Sequence, residues 1–86
     1  MKTIYKYQLK EHDSSIKMPK GAIILSLGVQ DDIATIWALI ETEVELETRR
    51  FICYVTGSFA GIPPIDHYIG TYQIDWFVGH VFERKI

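Results

Sequence analysis

Three histidines and one cysteine are the residues of this chain best suited to metal chemistry: His12, His67, His80 and Cys53. Zinc sites built from such residues usually contain ligand pairs at short spacings such as C-x2-C or H-x3-H. None of the four residues stands at such a spacing, so they would have to meet through folding alone. We therefore expect no metal and no cofactor. The alternation of residue types favours a hydrogen-bonded sheet residue for His80 and a small buried side chain for Cys53.

Nucleophilic and acid–base chemistry have equally weak support. Ser58 lies in the sequence GSFAG (residues 57–61), which is neither a G-x-S-x-G nucleophile elbow nor a phosphate-binding loop. We interpret the carboxylates at strand ends, Asp66, Asp75 and Glu83, as turn and rim residues. We therefore predict that the protein is not an enzyme. Catalysis would require His67 or His80 to lie within hydrogen-bond reach of a group such as Asp66, Ser58 or Cys53.

Charge and composition limit the partners. The 86 residues carry a net charge of −2 with acids and bases interspersed, which provides no cationic field for nucleic acid. The longest apolar run, residues 21–28, is much shorter than the roughly 20 residues of a membrane span. The first ten residues alternate lysine with aromatics and do not resemble a signal peptide. We expect a cytoplasmic protein with no membrane partner and no nucleic-acid partner.

Alternation of apolar and polar residues with a period of two predicts a β protein. Residues 3–9 predict an edge strand, because lysines on its outer face discourage pairing with other chains. Two apolar runs, residues 22–30 and 33–41, predict a central hairpin that turns at Asp31 and Asp32. Residues 66–74 and 77–84 predict a second hairpin.

Two further segments complete the predicted strand order. Alternating glutamates at 41–47 suggest the acidic tip of a hairpin, followed by a strand over 49–57. Residues 11–21 are rich in turn formers and predict a connection with at most a short extended piece. The fold class that follows is all-β: one domain over residues 1–86, a small antiparallel sandwich or partly open barrel of about six strands.

The loop between the strands at 49–57 and 66–74 is the candidate interaction surface. It is too long for a tight hairpin, and Phe59 and Ile62 would be exposed unless they pack on the end of the fold or on another copy. We predict that the protein is a homo-oligomer that acts by binding a protein partner. The candidate contact residues are Phe59, Ile62, His67, Tyr68 and Tyr72.

An alternative remains open: a homo-oligomer that binds a small ligand, such as a nucleotide, between its subunits. Basic and aromatic side chains near a glycine-bearing loop can hold a phosphate and stack on a base. The candidate residues for this alternative are Arg49, Arg50, Tyr54, Thr56 and His67.

Four motifs, spread over nearly the whole chain, carry a resemblance: KMPKG (residues 17–21), WAL (37–39), HYIGTYQ (67–73) and HVFE (80–83). In this order they resemble a family of small phage and prophage proteins of unknown function. The resemblance implies a phage-encoded accessory protein with a compact β fold and no assigned mechanism. It suggests a host protein as the partner, and the host cytoplasm as the location.

Overall fold

The computed structural model describes residues 1–58 and 61–84, and within them seven strands form two antiparallel sheets. The strands are β1 (Lys2–Gln8), β2 (Asp13–Pro19), β3 (Ile23–Gln30), β4 (Ile33–Glu41), β5 (Leu46–Val55), β6 (Tyr68–Ile74) and β7 (Phe77–Arg84). A three-residue 3-10 helix, Ile65–His67, precedes β6. In the described part of the chain, no helix is long and apolar enough to cross a membrane.

The first sheet has the order β1–β4–β3. Its β3–β4 hairpin is confirmed, and Asp31 and Asp32 turn the chain with φ of 53° and 60°, which matches the primed turns that two-residue hairpins prefer. Strand β1 lies at an edge, as predicted. Only β4 is central, however. Strand β3 forms the other edge, and the exposed Ile23 and Leu25 show that its second apolar face is not buried.

The second sheet has the order β2–β5–β7–β6 and contains the predicted second hairpin, with its turn at Asp75 and Trp76. The first strand of this hairpin begins at Tyr68 and not at residue 66, because residues 65–67 form the 3-10 helix. The edge strand β2 was expected to be mainly a connection. Pairing with β5 outweighs the turn preference of Ser14 and Ser15, because the register brings the alternate residue Met18 into full burial.

The acidic segment at 41–47 is not a hairpin tip. Strand β4 ends in one sheet and β5 begins in the other, so the segment crosses between the sheets. Two of its glutamates bind the turn after β2. Glu45 lies 3.4 Å from the Lys20 ammonium group, and Glu47 accepts a hydrogen bond of 3.1 Å from the Gly21 amide.

The core lies between the inner faces of the two sheets. Ile36, Ala38 and Ile40 of β4 face Met18, Phe51 and Val81 of the second sheet, and all six are buried. On one side β3 approaches β6, where a Cβ on Gly70 would lie 3.2 Å from Leu27 Cδ2. The two strands belong to separate sheets, so the fold is not a closed barrel. The predicted all-β class is confirmed, and the architecture is that of a sandwich.

Candidate binding cleft

Residues 61–65, in the segment between β5 and β6, lie over the outer face of the second sheet, where hydrogen bonds hold Gly61 in place. Because side chains alternate along a strand, Tyr54 and Phe82 point away from the face that buries Phe51 and Val81. The Tyr54 hydroxyl donates a hydrogen bond of 3.1 Å to the Gly61 carbonyl oxygen. Arg84 Nη2 donates to the same carbonyl at 3.0 Å and to the Tyr54 hydroxyl at 2.9 Å. These non-local bonds hold the loop over the sheet.

A cleft of about 480 Å³ lies between this loop and the sheet. Its wall is mainly apolar, and two of its residues are largely open to solvent: Ile62 is 54% exposed and Ile65 is 79% exposed. Tyr68 and Phe82 pack with ring centroids 5.2 Å apart and form an aromatic side of the cleft. Volumes of this size, with apolar walls and a few polar groups, are typical of ligand pockets.

A row of hydrogen-bonded polar side chains also lines the cleft. His80 Nε2 lies 2.7 Å from Thr56 Oγ1, and His80 Nδ1 lies 2.9 Å from Thr71 Oγ1. The Thr71 hydroxyl also bonds to the hydroxyl of Tyr68. His80 is thus a hydrogen-bonded residue of strand β7, as the sequence predicts. We call these four side chains, Thr56, His80, Thr71 and Tyr68, the hydroxyl–imidazole chain.

Arg49 and Arg50, the two arginines of the proposed nucleotide site, do not line the cleft and form ion pairs outside it. Arg49 lies on the opposite face of the sheet, where its guanidinium bonds to the Glu83 carboxylate at 2.7 and 2.9 Å. It also donates to the Ala22 carbonyl at 2.6 Å. The bonds to Glu83 raise the pKa of Arg49 above its ordinary value. Arg50 lies on the outer face and pairs with Asp13 through bonds of 2.9 and 2.6 Å, which lower the pKa of that carboxyl.

The remaining candidate residues are dispersed. Tyr72 is half-buried on the inner face, away from the cleft, with its hydroxyl 3.2 Å from Cys53 Sγ. His67 is half-buried at the end of the 3-10 helix and does not line the cleft. Phe59 lies outside the described residues. The structure therefore brings together Ile62 and Tyr68 from one candidate set with Tyr54 and Thr56 from the other.

Several residues at or beside the cleft were not among the sequence candidates, including Ile65, Thr71, Phe82 and Arg84. One pairing could have been found, because Thr71 and His80 are equally distant from the predicted turn at Asp75 and Trp76. A two-residue hairpin loop places such residues opposite each other, and the structure pairs them. Ile65 and Arg84 depend on the path of the loop, for which the sequence carries no local signal.

No group of three or more histidine, cysteine, aspartate or glutamate side chains is placed to hold a metal ion in residues 1–58 and 61–84. Cys53 is a free cysteine and is half-buried.

The fold and the cleft define a small antiparallel β-sandwich protein with an apolar surface cleft lined in part by a hydrogen-bonded polar row. Over residues 1–86 the chain matches, and belongs to, the family described as a domain of unknown function, DUF7352. Comparison with curated proteins and with solved structures finds no match.

Proposed function

We propose that this is a non-enzymatic binding protein whose cleft takes an apolar group of a protein partner. The observation that carries the proposal is the pair of exposed isoleucines, Ile62 and Ile65, on an apolar wall beside the hydroxyl–imidazole chain. Exposed aliphatic side chains around a concave surface gain free energy when a partner removes them from water.

The charges favour an uncharged occupant. The described residues that line the cleft include no lysine, arginine, aspartate or glutamate. The nearby Arg84 already donates to Gly61 and Tyr54, while Arg49 and Arg50 bind Glu83 and Asp13. A phosphate in the cleft would therefore have to draw an arginine away from an existing partner. This arrangement supports an apolar protein segment over a nucleotide.

The contacts of His80 favour binding over catalysis. Both of its ring nitrogens bond to threonine hydroxyls, which hold the ring in place within the sheet. Thr56 and His80 lie at the distance of a nucleophile and its base, but the other ring nitrogen of His80 bonds to the Thr71 hydroxyl and not to a carboxylate. The described residues that line the cleft include no carboxylate to stabilise an imidazolium. The hydroxyl–imidazole chain instead serves to position donors and acceptors for recognition.

The resemblance to phage and prophage proteins supports an accessory role. In that role the partner is a host protein, and the complex forms in the host cytoplasm. A neutral small molecule is the second candidate for the cleft, because about 480 Å³ falls within the usual range of ligand pockets. A ligand of a few hundred daltons retained on the purified protein in native mass spectrometry would favour this second candidate.

A peptide selection tests the proposal and does not require the natural partner to be identified first. Immobilised wild-type protein selects from a random displayed peptide library, and the selected peptides are measured against two double variants. Ile62→Ser with Ile65→Ser removes the exposed isoleucines of the cleft. Ile4→Ser with Ile23→Ser removes two isoleucines of comparable exposure, 56% each, from the other sheet.

We expect the selected peptides to share an apolar residue and to lose at least about tenfold in affinity for the cleft variant, which corresponds to about 1.4 kcal/mol. The matched control variant should bind as wild type does. Equal binding by both variants and the wild type would contradict the proposed role of the cleft.

A further inference from the structure

The hydroxyl–imidazole chain contains one more donor proton than it uses. Tyr68, Thr71 and Thr56 each carry one hydroxyl proton, and a neutral His80 ring carries one N–H proton. These side chains make three mutual contacts: Tyr68 with Thr71, Thr71 with His80, and His80 with Thr56. Each contact uses one proton. One proton is therefore left over, and the three hydroxyls that could present it all line the cleft.

The direction of the chain decides which hydroxyl presents that proton. In one direction Tyr68 donates to Thr71, Thr71 donates to His80 Nδ1, and His80 Nε2–H donates to Thr56. The Thr56 proton then points outward. In the opposite direction every bond is reversed, His80 carries its proton on Nδ1, and the Tyr68 proton points outward. In a third arrangement, Thr71 accepts from both Tyr68 and His80 Nδ1–H, and the Thr71 proton points outward. Protonation of His80 on Nε2 is therefore compatible with the first direction only.

The chemistry of the end groups favours the first direction. A phenol, with a pKa of about 10, is a better donor than an aliphatic hydroxyl. Donation by Tyr68 therefore disfavours the opposite direction. Because aligned donors reinforce one another along a chain, the first direction is also favoured over the arrangement in which Thr71 accepts twice. Packing of the Tyr68 ring against Phe82, at 5.2 Å between centroids, holds the phenol at this end. Thr56, at the other end, is exposed.

We infer that Thr56 Oγ1 is the donor with which the cleft recognises a neutral hydrogen-bond acceptor beside an apolar group, such as the backbone carbonyl of an apolar residue in the partner. The inference rests on the proposed function, since it assigns the polar contact of the same cleft. The apolar wall contacts the side chain, and Thr56 contacts the adjacent carbonyl oxygen.

The tautomer of His80 tests the direction of the chain independently of any ligand. Nitrogen-15 NMR of the imidazole, at a pH where its shifts no longer change, distinguishes Nε2–H from Nδ1–H. We expect Nε2–H in the wild type. Tyr68→Phe removes the directing donor and should give a mixture of the two tautomers. Predominant Nδ1–H in the wild type would overturn the inference.

A pair of ligands matched in shape tests recognition of an acceptor. Acetophenone carries a carbonyl oxygen, and α-methylstyrene has a methylene group in its place. NMR titration monitored at the amides of the cleft residues should show acetophenone binding about 3- to 10-fold more tightly, the effect of one neutral hydrogen bond. Thr56→Val should abolish this preference. Thr48→Val, which alters an exposed threonine of β5, the strand that precedes Thr56, should retain it.

The outcomes separate the two proposals. Equal affinity of the wild type for both probes would contradict the role of Thr56 and leave an apolar cleft in place. Failure of both probes to perturb the cleft amides would contradict the proposed function itself. The tautomer measurement would still decide the direction of the chain in that case.

Discussion

The hydroxyl of Tyr72 on β6 lies 3.2 Å from Cys53 Sγ on β5, although strand β7 runs between the two. The contact is possible because Gly79 occupies the intervening position of β7. A Cβ at Gly79 would lie 2.6 Å from Cys53 Sγ and 2.7 Å from Tyr72 Cε1. Glycine inside a strand often marks such a close approach, and the sequence position of Gly79 indicates it. The contact holds β5 and β6 together on the inner face of the second sheet, and the cleft lies on the outer face of the same sheet.

Gly79→Ala should lower the free energy of unfolding by about 1 to 3 kcal/mol, because the added methyl group forces Cys53 and Tyr72 apart in a packed region. Urea unfolding monitored by circular dichroism measures the change. Gly61→Ala is the matched control, since no described atom lies within 4 Å of its added methyl group. Equal stability of the Gly79→Ala and wild-type proteins would contradict the packing described for this contact.

Tyr72 should contribute to the pH dependence of stability at alkaline pH. Burial, and then the hydrogen bond with Cys53, raise the pKa of Tyr72 above its ordinary value. The folded state therefore favours the neutral phenol. This contribution is fully present below the unfolded-state pKa of about 10 and is lost as the pH rises toward the folded-state value. Between about pH 10 and 12, the unfolding free energy of wild type should fall more steeply than that of Tyr72→Phe. If the unfolding free energies of the two proteins fell equally with pH, the raised pKa of Tyr72 would be contradicted.

The ion pairs of Arg49 and Arg50 have similar geometry and should differ in strength. The Arg49 and Glu83 side chains are 17% and 22% exposed, whereas those of Arg50 and Asp13 are 40% and 49% exposed. A double-mutant cycle with Arg49→Met and Glu83→Gln should give a coupling free energy of about 1 to 2 kcal/mol. The cycle with Arg50→Met and Asp13→Asn should give a smaller value that salt reduces further. Equal coupling free energies in the two cycles would show that burial does not determine the strength of these ion pairs.

Self-association stays a prediction from chain length. A domain of this size buries only about 60% to 65% of the surface of its unfolded chain. Contact with a second copy would bury more apolar surface and so stabilise the folded protein. Native mass spectrometry at micromolar concentration should show a homo-oligomer, and thermal unfolding should shift upward with protein concentration. A monomer with a concentration-independent midpoint would contradict the expectation.

Much of the fold could be predicted because its signals are local. The aspartates at 31–32 and Asp75 mark the turns of two hairpins, and the alternating runs beside them form the paired strands. Strand β2 was underestimated because the serines at 14–15 and Pro19 favour turns, while its pairing with β5 depends on residues about 27 to 39 positions away. Likewise, no local feature of residues 42–45 shows that the chain changes sheets there.

The cleft was predicted only in part for the same reason. Thr71 and His80 face each other because of a two-residue turn, a relationship that the sequence contains. The positions of Thr56 and Ile65 beside that pair depend on the loop path. Arg84 and Tyr54 determine that path through the Gly61 carbonyl, and these bonds span 23 and 7 positions of sequence.

The most direct test of the proposed cleft function is amide chemical-shift mapping of a selected peptide on isotopically labelled protein. We predict that the largest shifts fall on Thr56, Ile62, Thr71 and His80, and that the strand residues of the β1–β4–β3 sheet stay unperturbed. The largest shifts on the outer face of the β1–β4–β3 sheet, with the cleft unchanged, would show that the protein binds through another surface.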